Sequence, residues 1–102
     1  MASPKLEGRT EIRQIFQSSK IGSIGGALVK KGKIARNHHI RVIRNNIIVH
    51  EGKLSSLKRF KDDVREVQEG YDCGVVVEGF ANLKEGDILE SYRIEKVAVK
   101  LV

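Results

Sequence analysis

The sequence predicts an all-β domain of the sandwich or small-barrel kind. Two features carry that expectation. Short runs place β-branched or other apolar side chains at every second position, and glycines or asparagines separate the runs at spacings of about ten residues. The chain also holds ten glycines but only one proline, Pro4, so little interrupts a strand once it has begun.

Glu11–Phe16 (EIRQIF) opens the series as a strand-like run. Ile40–Arg44 (IRVIR) alternates cleanly, with Ile40, Val42 and Arg44 on one face and Arg41 and Ile43 on the other. Asn45-Asn46 then interrupts before Ile47–His50, and asparagine tolerates the positive φ that a two-residue hairpin turn requires. Lys30-Lys31-Gly32-Lys33 and Glu51-Gly52-Lys53 are expected as two further hairpin turns. Val75–Val77 reads as a short buried strand, and Lys84-Glu85-Gly86-Asp87 turns the chain into Ile88–Ile94. One segment departs from the pattern. In Ser56–Val67, Leu57, Phe60, Val64 and Val67 recur at helical spacing, and Ser56 suits an N-cap. The residues alone leave two readings open there: a short helix, or an amphipathic turn covering the open end of a barrel. No linker, low-complexity tract or internal repeat is present.

With 102 residues, 11.4 kDa and 40% apolar side chains, the chain makes one domain with a modest core. It has no apolar run of the ~18 residues that a membrane span needs, and no basic-then-apolar leader. A cytoplasmic protein is the expectation. The single cysteine, Cys73, excludes an intramolecular disulfide and any multi-cysteine zinc site. The net charge of +6 is unevenly divided: residues 1–61 carry +11 and residues 62–102 carry −5. Seven basic residues and no acid lie between Lys20 and Arg44. Such a field attracts phosphate or anionic lipid, or simply keeps a solvated surface soluble.

Enzyme signatures are absent. Gly32-Lys33 and Gly52-Lys53 are followed by Ile34 and Leu54 and lack the upstream glycine of a P-loop, and no G-x-G-x-x-G occurs. His38, His39 and His50 have no carboxylate or cysteine at metal-ligand spacing, and adjacent His38 and His39 point to opposite faces of a strand. Cys73 reads first as a small apolar filler. Gly22-Ser23-Ile24-Gly25 fits the G-x-x-G of an RNA-binding KH loop, but its flanks read as strand where that loop needs helices. The five aromatics (Phe16, Phe60, Tyr71, Phe80, Tyr92) are too few for a sheet of base-stacking platforms. Phe60 stands out because it sits among Lys58, Arg59 and Lys61, where it could stack on a base, wall an apolar pocket or serve as ordinary core.

Four segments, EIRQIF (11–16), VKKGKIARNHHIRVIRNN (29–46), VHEGKLSSLKRFKDDVREVQEGYDCG (49–74) and LKEGDILESY (83–92), resemble the C-terminal domain of bacterial translation initiation factor 2. The resemblance spans residues 7 to 97, and its SLKRFKDDV and G-Y-D-C-G elements are specific to that family. It implies a small closed six-stranded antiparallel β-barrel similar to domain II of elongation factor Tu. It also implies a monomer that binds the formylmethionyl-CCA 3′ end of initiator tRNA and reaches the ribosome through the full-length factor. The family's GTPase domain, with its GTP and Mg²⁺, lies outside this chain, so no cofactor, metal or catalytic residue is expected here. Residues 1–7 are expected as a flexible N-terminal segment whose Met1-Ala2-Ser3 start need not be natural, 8–98 as the barrel, and 99–102 as a C-terminal tail. For Ser56–Val67 the resemblance overrules the helix and implies an irregular loop at the barrel mouth, with a strand resuming near Val64.

Carried over residue by residue, the formylmethionine and tRNA 3′-end site falls on Lys58, Arg59, Phe60, Lys61, Asp72, Cys73 and Gly74, with Ala27 where many members have a further cysteine. Asp72 stands where glutamate is usual. These residue types suit the ligand. Phe60, Ala27 and the body of Cys73 make an apolar cleft for a methionine side chain, and Gly74 lets a backbone N–H approach a formyl or ester oxygen. Lys58, Arg59 and Lys61 repel a charged amine but not its formylated, neutral form, and they attract phosphates. The competing expectation is a basic barrel that docks on ribosome or protein without ligand selectivity.

Overall fold

A computed structural model describes residues 2–20 and 22–96. These residues form nine strands and no helix: β1 Ala2–Ser18, β2 Gly22–Ala35, β3 His39–Arg44, β4 Ile47–Gly52, β5 Leu54–Arg59, β6 Asp62–Asp63, β7 Glu66–Gln68, β8 Asp72–Val77 and β9 Ile88–Lys96. All pairings are antiparallel, in the order β4-β3-β9-β1-β2-β8-β5-β6, with β7 added to the far half of β2. β4 and β5 stand near opposite ends of this order yet are joined by Lys53 alone, so the sheet must roll until its two ends approach. The Glu78 N–H donates to Lys53 O at 2.9 Å, which extends the β5–β8 ladder by one step to the link with β4. No ladder among the described residues closes the roll. The all-β antiparallel class is therefore as expected, but the six closed strands are not: nine strands make an open roll.

One core fills the roll, drawn from Ile12, Val29, Ile34, Ile40, Val42, Leu54, Leu57, Val67, Val75, Val77 and Leu89, on seven different strands. The alternation in β2 and β8 supplies it, inner residues buried and outer ones less so. Bulges at Glu7, Arg13 and Lys30 coil the long β1–β2–β9 ribbon around this core. β1 starts at Ala2, within the segment expected to lead into the domain, and pairs with β9 from there; the tail at 99–102 lies outside the described residues.

Three local expectations change. Lys30–Lys33 is no hairpin turn. It is the bulge within β2, where Gly32 takes φ +67° and lies so close to Gly8 that a Cβ on either would strike backbone atoms of the other strand. Glu51-Gly52-Lys53 is no hairpin either, because β4 and β5 do not pair. Nor is Ser56–Val67 a helix or an irregular loop. It runs as strand, turn and two short strands, with Leu57 fully buried opposite Val75 and Phe60 left 88% exposed. Pairing with β8 satisfies this backbone and buries Leu57, which outweighs a helical spacing whose second apolar position faces solvent. Asn45-Asn46 is the expected turn, both residues with positive φ (53° and 64°), as a type I′ hairpin needs. The turn at Lys84–Asp87 is also as expected.

Candidate ligand cleft

The segment KRFKDD becomes a tight hairpin. Lys58 pairs with Asp63 and Arg59 with Asp62, leaving Phe60-Lys61 as a two-residue loop. Phe60 has φ +58°, the sign that the first position of a type II′ turn demands and glycine normally supplies. A bulky aromatic held there, ring in solvent, marks the loop as more than a connection.

Arg59 connects this hairpin to β8. Its Nε donates to Asp72 O at 3.0 Å, and its Nη2 approaches Asp72 Oδ1 at 3.5 Å. The guanidinium carbon lies over the rings of Tyr71, 4.7 Å from the centroid, and Phe60, 5.3 Å. These contacts are worth about 0.5–1 kcal/mol each at exposed sites.

Beside the hairpin an open cleft of about 1040 Å³ runs across the β1–β2–β8 sheet. Gly26 of β2 and Gly74 of β8 are register partners, so two adjacent positions on this face carry no side chain. They form its floor. A Cβ on Gly26 would stand 3.2 Å from Phe16 Cε2, so the half-exposed Phe16 ring rests against that bare position. Ile24, Leu28, Phe60 and Asp72 complete the walls, and Glu85-Gly86 close the far rim.

Of the residues expected at the site, Ala27, Phe60, Asp72, Cys73 and Gly74 line this cleft. Lys58, Arg59 and Lys61 stand outside its lining, on the hairpin at its edge. The expected residues meet the cleft in different ways. Ala27 and Cys73 are register partners on the inner face, 3% and 7% exposed, and both belong to the core. Burial first, and then the Asp72 carboxylate, push the Cys73 thiol up to about 11, so it stays protonated and unreactive near neutrality. Gly74 lies between β2 and β5 in the ladder, so its N–H lies in the sheet plane and aims at a neighbouring strand. What it offers a ligand is the absence of a side chain. Phe16, Gly26 and Tyr71 went unrecognised in the sequence. Alternation along EIRQIF and along β2 could have set Phe16 and Gly26 on one face, but only the β2–β8 register brings Gly26 beside Gly74.

The basic stretch Lys20–Arg44 finds much of its partnership within the molecule. Lys33 pairs with Glu66 at 3.3 Å and Arg41 with Glu51 at 3.4 Å, while Arg41 also lies over the Tyr92 ring at 4.3 Å. Arg44 forks onto the buried Asp87, through Nε to Oδ1 at 2.9 Å and Nη2 to Oδ2 at 2.7 Å. Buried His38 accepts from or donates to Ser91 Oγ at 2.7 Å, and burial lowers its pKa. Among the described residues no three His, Cys, Asp or Glu side chains are gathered as a metal site, and no helix is long and apolar enough to cross a membrane.

Fold and cleft together define a small all-β domain with a glycine-floored cleft beside a cationic, aromatic hairpin. The chain is 60% identical over 105 aligned residues to translation initiation factor IF-2 of Thermodesulfovibrio yellowstonii, covering 98% of this chain and 14% of that protein. It is 58% identical over 94 residues to IF-2 of Pelotomaculum thermopropionicum (92% and 10%). With IF-2 of Geobacter metallireducens it shares 50% over 97 residues (95% and 11%). No protein-family model matches the chain. The chain is a homologue of the C-terminal portion of translation initiation factor IF-2. It spans between 10% and 14% of the length of these three relatives.

Proposed function

We propose that this domain binds the formylmethionyl-CCA 3′ end of initiator tRNA. In this reading it works as the C-terminal part of a longer, cytoplasmic initiation factor, and ribosome contacts, GTP and Mg²⁺ belong to other parts of that protein. The domain itself is a monomer without catalytic residues, its open roll a variant of the barrel that the family resemblance implies. The supporting observation is convergence. Phe60 of the β5–β6 turn and Asp72 and Gly74 of β8 come from two segments and meet at one cleft, and the Lys58–Lys61 hairpin stands at its edge. That pairs a side-chain-free floor with a cationic hairpin along one edge, a combination suited to an acylated, phosphate-bearing end.

Formyl selectivity follows from charge. Formylation replaces an amine of pKa about 7.7–8.0 with a neutral amide. An unformylated, charged amine has to desolvate in the cleft beside Lys58, Arg59 and Lys61, which is costly and repulsive. The test is ester protection: the domain slows hydrolysis of formylmethionyl-tRNA and leaves methionyl-tRNA nearly unprotected. Equal protection of both, or of neither, ends this reading. A docking role without selectivity draws support from one feature, the exposed Ile47, Ile48 and Val49 on terminal strand β4, none of which lines the cleft. Protection of neither tRNA is the outcome that role predicts.

A further inference from the structure

Arginine carries five N–H donors on a planar fork. In Arg59 the side edge is already taken, Nε by the Asp72 carbonyl and one Nη2 hydrogen by the Asp72 carboxylate. Two rings, of Tyr71 and Phe60, crowd the guanidinium at 4.7 and 5.3 Å. Three donors remain, and two of them, one hydrogen each on Nη1 and Nη2, form the end edge, parallel and spaced to meet two oxygens of one phosphate.

From this geometry we infer that Arg59 is an end-on fork for a phosphodiester of the bound 3′ end, and that Tyr71 is the positioning residue that aims it. The inference rests on the tRNA reading above and adds the contact mode and a residue outside the expected site. Tyr71 reaches this place through the register of the chain. Gly70 N–H donates to Val29 O at 2.9 Å and Val29 N–H donates to Tyr71 O at 3.0 Å, which locks the backbone beside β2 and leaves the ring 52% exposed under Arg59. Asp72, next in sequence, then meets the same guanidinium from its edge. Stacking needs a ring and not a hydroxyl, so phenylalanine at 71 keeps the arrangement and an aliphatic residue does not. Lysine at 59 keeps the charge but presents one rotating ammonium in place of the fixed fork.

The experiment measures binding of two probes to the 102-residue chain: the formylmethionine ester of a CCA trinucleotide, and formylmethionine methyl ester, which has no phosphate. Tyr71→Leu is expected to weaken the trinucleotide ester about threefold to fivefold, and Arg59→Lys about tenfold. Tyr71→Phe stays within about twofold of wild type. Tyr71→Leu and Tyr71→Phe bind the phosphate-free ester as wild type does, and thermal melting reports whether each variant is folded. If wild type binds the trinucleotide ester and both Tyr71→Leu and Arg59→Lys bind it equally well, the fork is wrong and the tRNA reading stands. If Tyr71→Leu weakens both probes alike, Tyr71 shapes the cleft and does not aim a phosphate contact, which also overturns the inference. Wild type that binds neither probe removes the tRNA reading and this one with it. Should Tyr71→Leu fail to fold, Arg59→Lys against Tyr71→Phe decides alone.

Discussion

Two Arg–Asp pairs divide the molecule between them. Arg44 and Asp87 form a bidentate pair at 2.7 and 2.9 Å with the Asp87 side chain 2% exposed, further held by the Lys84 N–H at 2.9 Å. Arg59 and Asp72 meet at 3.5 Å with the Asp72 side chain 79% exposed. The residue types are the same and the surroundings opposite. The buried pair ties the end of β3 to the turn before β9, and every Asp87 oxygen has a donor. The exposed pair spends only one edge of its arginine, so donors remain for something outside the molecule. Burial, and not residue identity, decides whether such a pair is closed within the fold or keeps donors facing solvent.

Breaking each pair gives the largest contrast. Asp87→Ala strands the Arg44 fork and the Lys84 N–H, and it is expected to cost about 2–4 kcal/mol of stability by urea denaturation. Asp72→Ala costs no more than about 0.5 kcal/mol in the same measurement, because water replaces what it offers. A comparable loss for the two would erase the distinction.

Titration probes the same contrast in the packed half. Burial alone would raise Asp87, but the Arg44 and Lys84 hydrogen bonds more than offset it and hold the carboxyl below its ordinary value of 3.8. Burial also holds His38 below its ordinary 6.5. In both cases the unfolded chain binds protons more readily, so stability falls as pH drops through the window between the two values. Melting temperature is expected to be level between about pH 6.5 and about pH 8, below the range where the raised Cys73 thiol begins to matter. It then declines in two steps, one beginning just below pH 6.5 and one below about pH 4. His38→Gln removes the upper step, and a melting profile unchanged by that substitution would sink the assignment.

The smallest structural change tests the cleft. A Cβ on Gly74 meets Ile24 Cγ2 at 3.9 Å and Lys58 O at 4.0 Å, ordinary contacts, so Gly74→Ala folds with stability within about 1 kcal/mol of wild type. Its methyl rises from the cleft floor, and binding of the formylmethionine ester is expected to weaken several-fold in calorimetry. Unchanged binding would show that the ligand does not lie on the Gly26–Gly74 floor.

Much of this was legible beforehand. Alternation at Ile40–Arg44 marked β3, and the tandem asparagines marked its turn, because strand period and positive φ are local properties. SLKRFKDDV and YDCG marked the segments that meet at the cleft. Other features were hidden for a common reason. The 3-4-3 spacing of Ser56–Val67 is helical on paper, but β8 stands ready to pair with Leu54–Lys58, and no local rule contains β8. The Lys30–Lys33 bulge looked like a turn because Gly32 serves a positive φ in either. Which face of a strand Ala27 and Cys73 take was not legible, because composition cannot say it until one register partner is known.

By itself, then, the sequence determined the β class, the turn at Asn45-Asn46 and the residue types of the cationic hairpin, since each follows from the conformational limits of a few neighbouring residues. Tertiary structure alone decided that Gly26 would lie against Gly74, that Arg44 would be consumed by Asp87, and that Arg59 would keep three donors free. Those outcomes depend on contacts between residues 13 to 48 positions apart, set by strand register and burial.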